Sequence, residues 1–127
     1  MTAKTSLLAG LFALGLALPA AAQTAALDAC REPIVPPAVD GATATEGLMK
    51  TQGDQVREFL TASDGYQDCL IKTLSDATKA AQAANTEVDA RLQLTISTKL
   101  QSNQLLKERV GALYNSAVGA YKKKHPG

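Results

Sequence analysis

Two long stretches of the chain repeat apolar residues at helical spacing. The first contains no proline, and its apolar residues recur in steps that follow a helical period. They are Leu48, Val56, Phe59, Tyr66, Leu70, Leu74, Ala77, Ala81 and Ala84. At about 100° per residue, all of them fall within roughly 40° of one line, which is one face of a helix. The pattern predicts a first helix over residues 44–84.

A turn signal, Ser63-Asp64-Gly65, interrupts this stretch. A loop would normally reset the phase of the apolar positions, whereas Phe59 and Tyr66 stay one heptad apart across it. We therefore predict one continuous helix. Two shorter helices broken near Gly65 remain the alternative.

The segment from Asn85 to Asp89 predicts a chain reversal. Asn85 tolerates the left-handed conformation at a helix end, and Thr86 can cap the helix that follows. The two helices then form a long antiparallel hairpin. With the reversal between Asn85 and Thr86, Cys69 is level with Ser102.

The second apolar stretch predicts a helix over residues 87–122. Its core positions are Val88, Leu92, Ile96, Leu106, Val110, Leu113, Ala117 and Tyr121. Its middle is polar, and we expect Ser102 and Asn103 to hydrogen-bond across the hairpin or to the preceding segment. A contact surface there is the alternative. Neither helix has the repeated Leu or Ile seam of a strong coiled coil.

Three prolines precede the first helix, at Pro33, Pro36 and Pro37. They forbid a helix interior and favour extended polyproline geometry, so residues 30–42 are predicted to form an extended segment, the strap. Thr43 or Thr45 can cap the first helix after it.

The chain has two cysteines, Cys30 and Cys69, and we expect a disulfide between them, as small exported domains often need one. The helix from Thr45 to Cys69 rises ~36 Å. The strap reaches ~43 Å in polyproline form, so it must run nearly straight and antiparallel to the helix. It is expected to dock on a flank of small residues that includes Gly65.

The first residues have the pattern of a cleavable secretory signal peptide, Met1–Ala22. Lys4 is followed by an apolar run, Leu7–Leu18, which is too short to span a bilayer, and then by small residues. We expect cleavage between Ala22 and Gln23, a flexible segment over 23–29 and a single domain over 30–127. In the alternative, Cys30 is lipid-modified, but Asp28 is a poor residue in the required motif.

Charge and length restrict the function. Loss of Lys4 with the leader reduces 13 basic residues to 12, which balance 12 acidic residues, so the mature chain is formally neutral. Neutrality argues against nucleic-acid binding. The mature chain is long enough for one domain and is expected to contain no transmembrane segment.

Residues with catalytic chemistry are few. The only histidine, His125, lies in a tail that is expected to fray, so no catalytic triad is predicted, nor any metal site or cofactor. Asp64 and Asp68 lie one turn apart and are interpreted as solvated surface. The lysines at Lys122–Lys124 suit the end of a helix, and weak contact with anionic lipid is their alternative role.

Two sequence motifs carry a resemblance. Cys30-x-x-Pro33-x-x-Pro36, followed one helix later by Tyr66-Gln67-x-Cys69-Leu70, resembles a loosely defined group of short exported bacterial proteins of unknown function. The resemblance implies the fold and no activity, cofactor or ligand. We expect a non-enzymatic, periplasmic or secreted structural or interaction protein, with an unknown protein partner or self-association. An envelope-binding module is the alternative, and an enzyme is least favoured.

Overall fold

The computed structural model describes residues 20–127, so most of the predicted leader, including its apolar run, lies outside the described residues. Residues 20–127 form three helices and no strand. These are α1 (Ala20–Asp28), α2 (Glu46–Ala83) and α3 (Ala90–Lys124). The predicted all-α class is confirmed. None of these helices combines the length and apolar character needed to cross a membrane.

Helix α2 is continuous through Gly65, as predicted. Its N-cap is Thr45, whose hydroxyl oxygen accepts a hydrogen bond from the Leu48 N–H at 3.2 Å. The other capping candidate, Thr43, instead donates its hydroxyl hydrogen to Asp40. One of the first unpaired N–H groups of α2 is therefore satisfied by the residue directly before the helix.

The reversal occurs where it was predicted, but its caps differ. Asn85 is left-handed, with φ of 53°, and the Thr86 N–H donates to the Ala81 carbonyl at 2.9 Å. These contacts close α2 in a Schellman arrangement, so Thr86 does not cap α3 as we had predicted. The cap is Asp89, whose carboxylate accepts from the Arg91 N–H at 2.7 Å.

The packed seam between α2 and α3 repeats every seven residues. It is formed by Met49, Val56, Ser63 and Leu70 on α2 and by Ile96, Asn103, Val110 and Ala117 on α3. Leu48 was predicted in the core, but it is 46% exposed and Met49 is buried in its place. A line of residues on a straight helix with 3.6 residues per turn drifts by about 20° per heptad relative to a seam that repeats every seven residues. Over the three heptads from Leu70 this drift moves the buried position from Leu48 to Met49.

The register between the two helices is offset from the predicted one. Ser63 lies opposite Asn103, whose side-chain amide donates to the Ser63 hydroxyl at 3.4 Å. Ser102, which was predicted level with Cys69, is exposed. The reason lies in residues 86–89, which are not helical. Each extended residue advances ~3.3 Å, against ~1.5 Å in a helix, so α3 begins further from the tip of the hairpin.

Helix α1 was not predicted, because residues 23–29 were expected to be flexible. Leu27 packs against the cluster around Cys30, and Ala26 lies with Thr73 and Ala77 of α2 in one shallow cleft. Alanine is the strongest helix former, and the segment holds several alanines. The disulfide keeps it beside α2, so it has a surface on which to fold. The predicted cleavage residues, Ala22 and Gln23, lie within α1.

Candidate functional site

The strap is tied to α2 at its start by the predicted disulfide. Cys30 and Cys69 are joined, with their Cα atoms 5.6 Å apart. Cys30 is 7% exposed and packs in a cluster with Tyr66 and Leu70. Because its sulfur is committed to the disulfide, Cys30 is not free for the lipid modification considered as an alternative.

Just beyond the disulfide, one carboxylate joins the strap to both long helices. The Tyr66 hydroxyl of α2 donates to the Glu32 carboxylate at 3.1 Å, and the Lys99 ammonium of α3 donates to the same oxygen at 2.7 Å. Both hydrogen bonds are charge-assisted, and bonds of this kind are shorter and stronger than those between neutral groups. Glu32 therefore fixes the strap over the seam between α2 and α3.

The titration of these three groups reflects that arrangement. The Lys99 hydrogen bond, followed by the Tyr66 hydrogen bond, lowers the pKa of Glu32. Burial, followed by the hydrogen bond to Glu32, raises the pKa of Tyr66. The Glu32 hydrogen bond raises the pKa of Lys99. Near neutral pH, Glu32 and Lys99 are therefore charged and Tyr66 keeps its proton.

The far end of the strap is held by backbone contacts. The Gln52 side chain donates to the Pro37 carbonyl at 2.8 Å. Asp40 then starts a turn that leads into α2, and its neighbour Gly41 is buried against the backbone of Ala117 on α3. A Cβ atom on Gly41 would lie 1.8 Å from the Ala117 carbonyl oxygen, so only glycine fits there.

Between these anchors, the strap and α2 enclose an open groove of about 630 Å³, which we call the strap groove. Its walls are mainly proline, aliphatic and aromatic side chains, with polar groups at the edges. The lining residues are Ala29, Arg31, Glu32, Pro33, Ile34, Pro36, Gln55, Glu58, Phe59, Ala62, Gly65, Tyr66 and Cys69. This volume lies within the usual range for ligand-binding clefts, and the mainly apolar lining with a few polar groups is also typical of them.

One apolar side chain stands out at the edge of this groove. Ile34 is 90% exposed, although the strap on which it sits is anchored at both ends and stiffened by the neighbouring Pro33. Two unlike charges also line the groove, Arg31 and Glu58. Within residues 20–127 neither of them makes an ion pair. The groove therefore offers a fixed apolar projection and two available charges.

Smaller clefts lie on the other side of the strap, against α3. One of about 290 Å³ contacts Val39 and Leu113, and another of about 270 Å³ contacts Lys99 and Asn103. Asn103 is 2% exposed, and its carbonyl oxygen is buried with no hydrogen-bond partner. The strap thus lies over both helices rather than in a slot on one flank of α2, which is where we had expected it.

Gly65 and Lys99 have different roles from those inferred from the sequence. A Cβ atom on Gly65 would meet nothing within 4 Å, so the glycine is not required for the strap to pack. Lys99 lies in the polar middle of the second helix, where a contact surface was the alternative, but its ammonium group is committed to Glu32. The predicted bond across the hairpin is made by Asn103, as described above.

The remaining candidate residues are dispersed. Asp64 pairs with Lys107 across the hairpin, whereas Asp68 is exposed. His125 ends α3, and its ring stacks on Tyr121 with the ring centroids 4.3 Å apart. The lysines Lys122–Lys124 form the last turn of α3, as predicted, and are exposed. Among residues 20–127 no cluster of ligating side chains could hold a metal ion.

Sequence reasoning missed the residues that define the groove. Arg31, Glu32 and Ile34 were considered only as part of an extended, proline-rich strap, and Glu58 was not singled out. Their meeting depends on the path of the strap, which the disulfide and the hairpin register fix together. A polar pair flanked by cysteine and proline, Arg31-Glu32, was the one local signal that pointed to a defined contact.

No family model, curated protein or solved structure matches this chain. The function of the strap groove is therefore argued from its geometry.

Proposed function

We propose that this chain is an exported, non-enzymatic structural or interaction protein that binds another protein chain through the strap groove. In this proposal the antiparallel hairpin is the scaffold and the disulfide-tied strap is one wall of the binding surface. The main support for this proposal is that Ile34 is 90% exposed although it lies on a segment anchored at both ends. An apolar side chain held in one place contributes to binding without a large cost of ordering.

The use of the charged groups supports the same proposal. The side chains of Tyr66 and Lys99 both donate hydrogen bonds to Glu32 beside the groove, and all three residues hold the strap. Their chemistry therefore maintains the shape of the wall. The groove itself offers mainly apolar surface, which favours contact with an apolar side chain of a partner.

Export is part of the proposal. The leader pattern over Met1–Ala22 and a disulfide between the only two cysteines both suit an oxidising compartment outside the cytoplasm. Intact mass of the native protein tests this point. We expect a chain that begins at Gln23 and carries the disulfide, and a full-length chain with two free thiols would contradict export.

Site-specific photocrosslinking in the native envelope tests the binding surface. A photoreactive residue at Ile34 or Gln55 lies at the strap groove, and one at Gln101 lies on the exposed side of α3 as a matched control. We expect adducts with a defined protein chain from the two groove positions and none from Gln101. Equal labelling from all three positions, or none from the groove, would refute the proposed surface.

A second candidate function is an envelope-binding module. It is favoured by the three consecutive exposed lysines at the end of α3, Lys122–Lys124, because such charges are attracted to anionic lipid surfaces. Leu94 and Leu105, which are 68% and 59% exposed, add apolar surface on the same helix. Sedimentation with anionic and neutral vesicles tests it. Binding to anionic vesicles that is lost when all three lysines become Gln supports this function, and binding that is unchanged excludes the lysines.

A further inference from the structure

The strap-groove face carries both a projection and a recess. Ile34 projects from the strap, and the groove beside it is bordered on α2 by the small residues Ala62 and Gly65. A Cβ atom on Gly65 would meet nothing within 4 Å, so this part of the groove is open. A face with both features can pack against another copy of itself.

The charges of the same face are arranged in a matching way. Arg31 directly follows Cys30, so the disulfide holds it at the Cys69 end of the groove. Glu58 lies eleven residues before Cys69 on α2, which is ~16 Å along the helix axis. The groove therefore has a positive charge at one end and a negative charge towards the other, and neither is paired within residues 20–127.

We propose that the partner of the strap groove is a second copy of this chain, bound across a two-fold axis that passes between Arg31 and Glu58. In a two-fold interface the same patch is used by both chains, and if residue i contacts residue j of the other chain, j also contacts i. Arg31 of each copy then meets Glu58 of the other, so the contact forms twice. Ile34, which lies on the strap between its anchors at Cys30 and Pro37, packs in the recess of the other copy.

This inference rests on the proposed use of the groove for protein binding, and it names the partner. A different partner could pair with both charges only by supplying an anion for Arg31 and a cation for Glu58 at that separation. A second copy supplies both without any further requirement. The groove spans ~20 Å of α2 from Gln55 to Cys69, so the interface is small and belongs to the weak class. We expect a dissociation constant in the micromolar range.

Sedimentation equilibrium of the oxidised, mature chain from about 10 µM to 1 mM tests the dimer. Arg31→Glu alone and Glu58→Arg alone each place like charges together twice, and each is expected to weaken association about tenfold or more. The double variant restores unlike charges in reversed order. It should associate to within about threefold of the parent chain.

Two further variants separate the interface from the fold. Ala62→Leu fills the recess at an exposed helical position, so it should abolish the dimer while the helix content and the urea midpoint stay unchanged. Leu94→Asp, on a side of α3 that does not line the groove, should leave the dimer intact. A parent chain that remains monomeric at 1 mM, or a double charge variant no better than the singles, overturns the inference. If groove photocrosslinks then still join a different protein, the proposed function stands without it.

Discussion

The disulfide is expected to supply a large part of the stability of the fold. Replacing both cysteines, Cys30→Ala with Cys69→Ala, opens a loop with a sequence separation of 39 residues. The chain-entropy model gives about 4 kcal/mol for a loop of this length. Domains of this size are stable by about 5–15 kcal/mol in total, so the loss approaches the whole margin at the lower end of that range.

Each of the other polar contacts of the strap is weaker than the disulfide. The hydrogen bond from Gln52 to Pro37 is worth about 0.5–1.5 kcal/mol net, and the exposed ion pair between Glu32 and Lys99 about 0–1 kcal/mol. The strap is therefore expected to detach from the reduced chain before the hairpin unfolds. Because the strap covers both long helices, its release also exposes part of their seam.

Urea unfolding monitored by circular dichroism measures the loss of stability. The same chain, oxidised or reduced and alkylated, provides a comparison at identical sequence, and the double alanine variant controls for the alkyl groups. We expect both thiol-free forms to lose about 4 kcal/mol in the free energy of unfolding. A loss below about 1 kcal/mol would contradict the chain-entropy estimate for this disulfide.

Three further predictions follow from single contacts. Gly41→Ala should destabilise the fold by about 1–3 kcal/mol, because the new Cβ atom would lie 1.8 Å from the backbone of Ala117. Gly65→Ala places its Cβ atom in open space within a helix, so it should stabilise the fold by up to about 1 kcal/mol. The urea midpoints of the two variants test this difference. The lowered pKa of Glu32 adds stability that is complete above its unfolded-state pKa and is lost as the pH falls through its folded-state pKa. Glu32→Gln should therefore reduce the pH dependence of the free energy of unfolding below about pH 4.3. An unchanged pH dependence would exclude this role of Glu32. Asn103→Ala should lower the free energy of unfolding by about 1–3 kcal/mol, because it removes the hydrogen-bond partner of buried Ser63. The double change Ser63→Ala with Asn103→Leu should recover most of that loss. Equal losses in the single and double variants would contradict the pairing.

The two long helices were predictable because local patterns encode them, and the disulfide was predictable because the chain has only two cysteines. Prolines confine the strap, Asn85 marks the reversal, and the phase of apolar residues carries α2 through Gly65. The buried face itself was only partly predictable. Its seven-residue repeat includes two polar residues, Ser63 and Asn103, which an apolar pattern does not mark. A straight line at 3.6 residues per turn therefore selected Leu48 in place of its neighbour.

The groove was not predictable for a geometric reason. Arg31 and Glu58 are 27 positions apart in the chain, and they share a groove only because the strap runs antiparallel to α2 from the disulfide. The position of each strap residue along α2 depends on how extended the strap is. A change of ~0.5 Å per residue would shift Ile34 by about one residue of α2, which turns a side chain by about 100° around the helix.

Stability and binding are linked in this molecule because the strap is both a clamp and a wall of the groove. Cys30 anchors the segment that carries Arg31 and Ile34, so opening the disulfide removes the projection and one of the two charges from their fixed positions. The helices keep their own hydrogen bonds and most of their seam. Reductant is therefore expected to abolish groove-dependent association at urea concentrations where α2 and α3 remain folded. Association that persists in the reduced, helical state would place the binding surface on the hairpin alone.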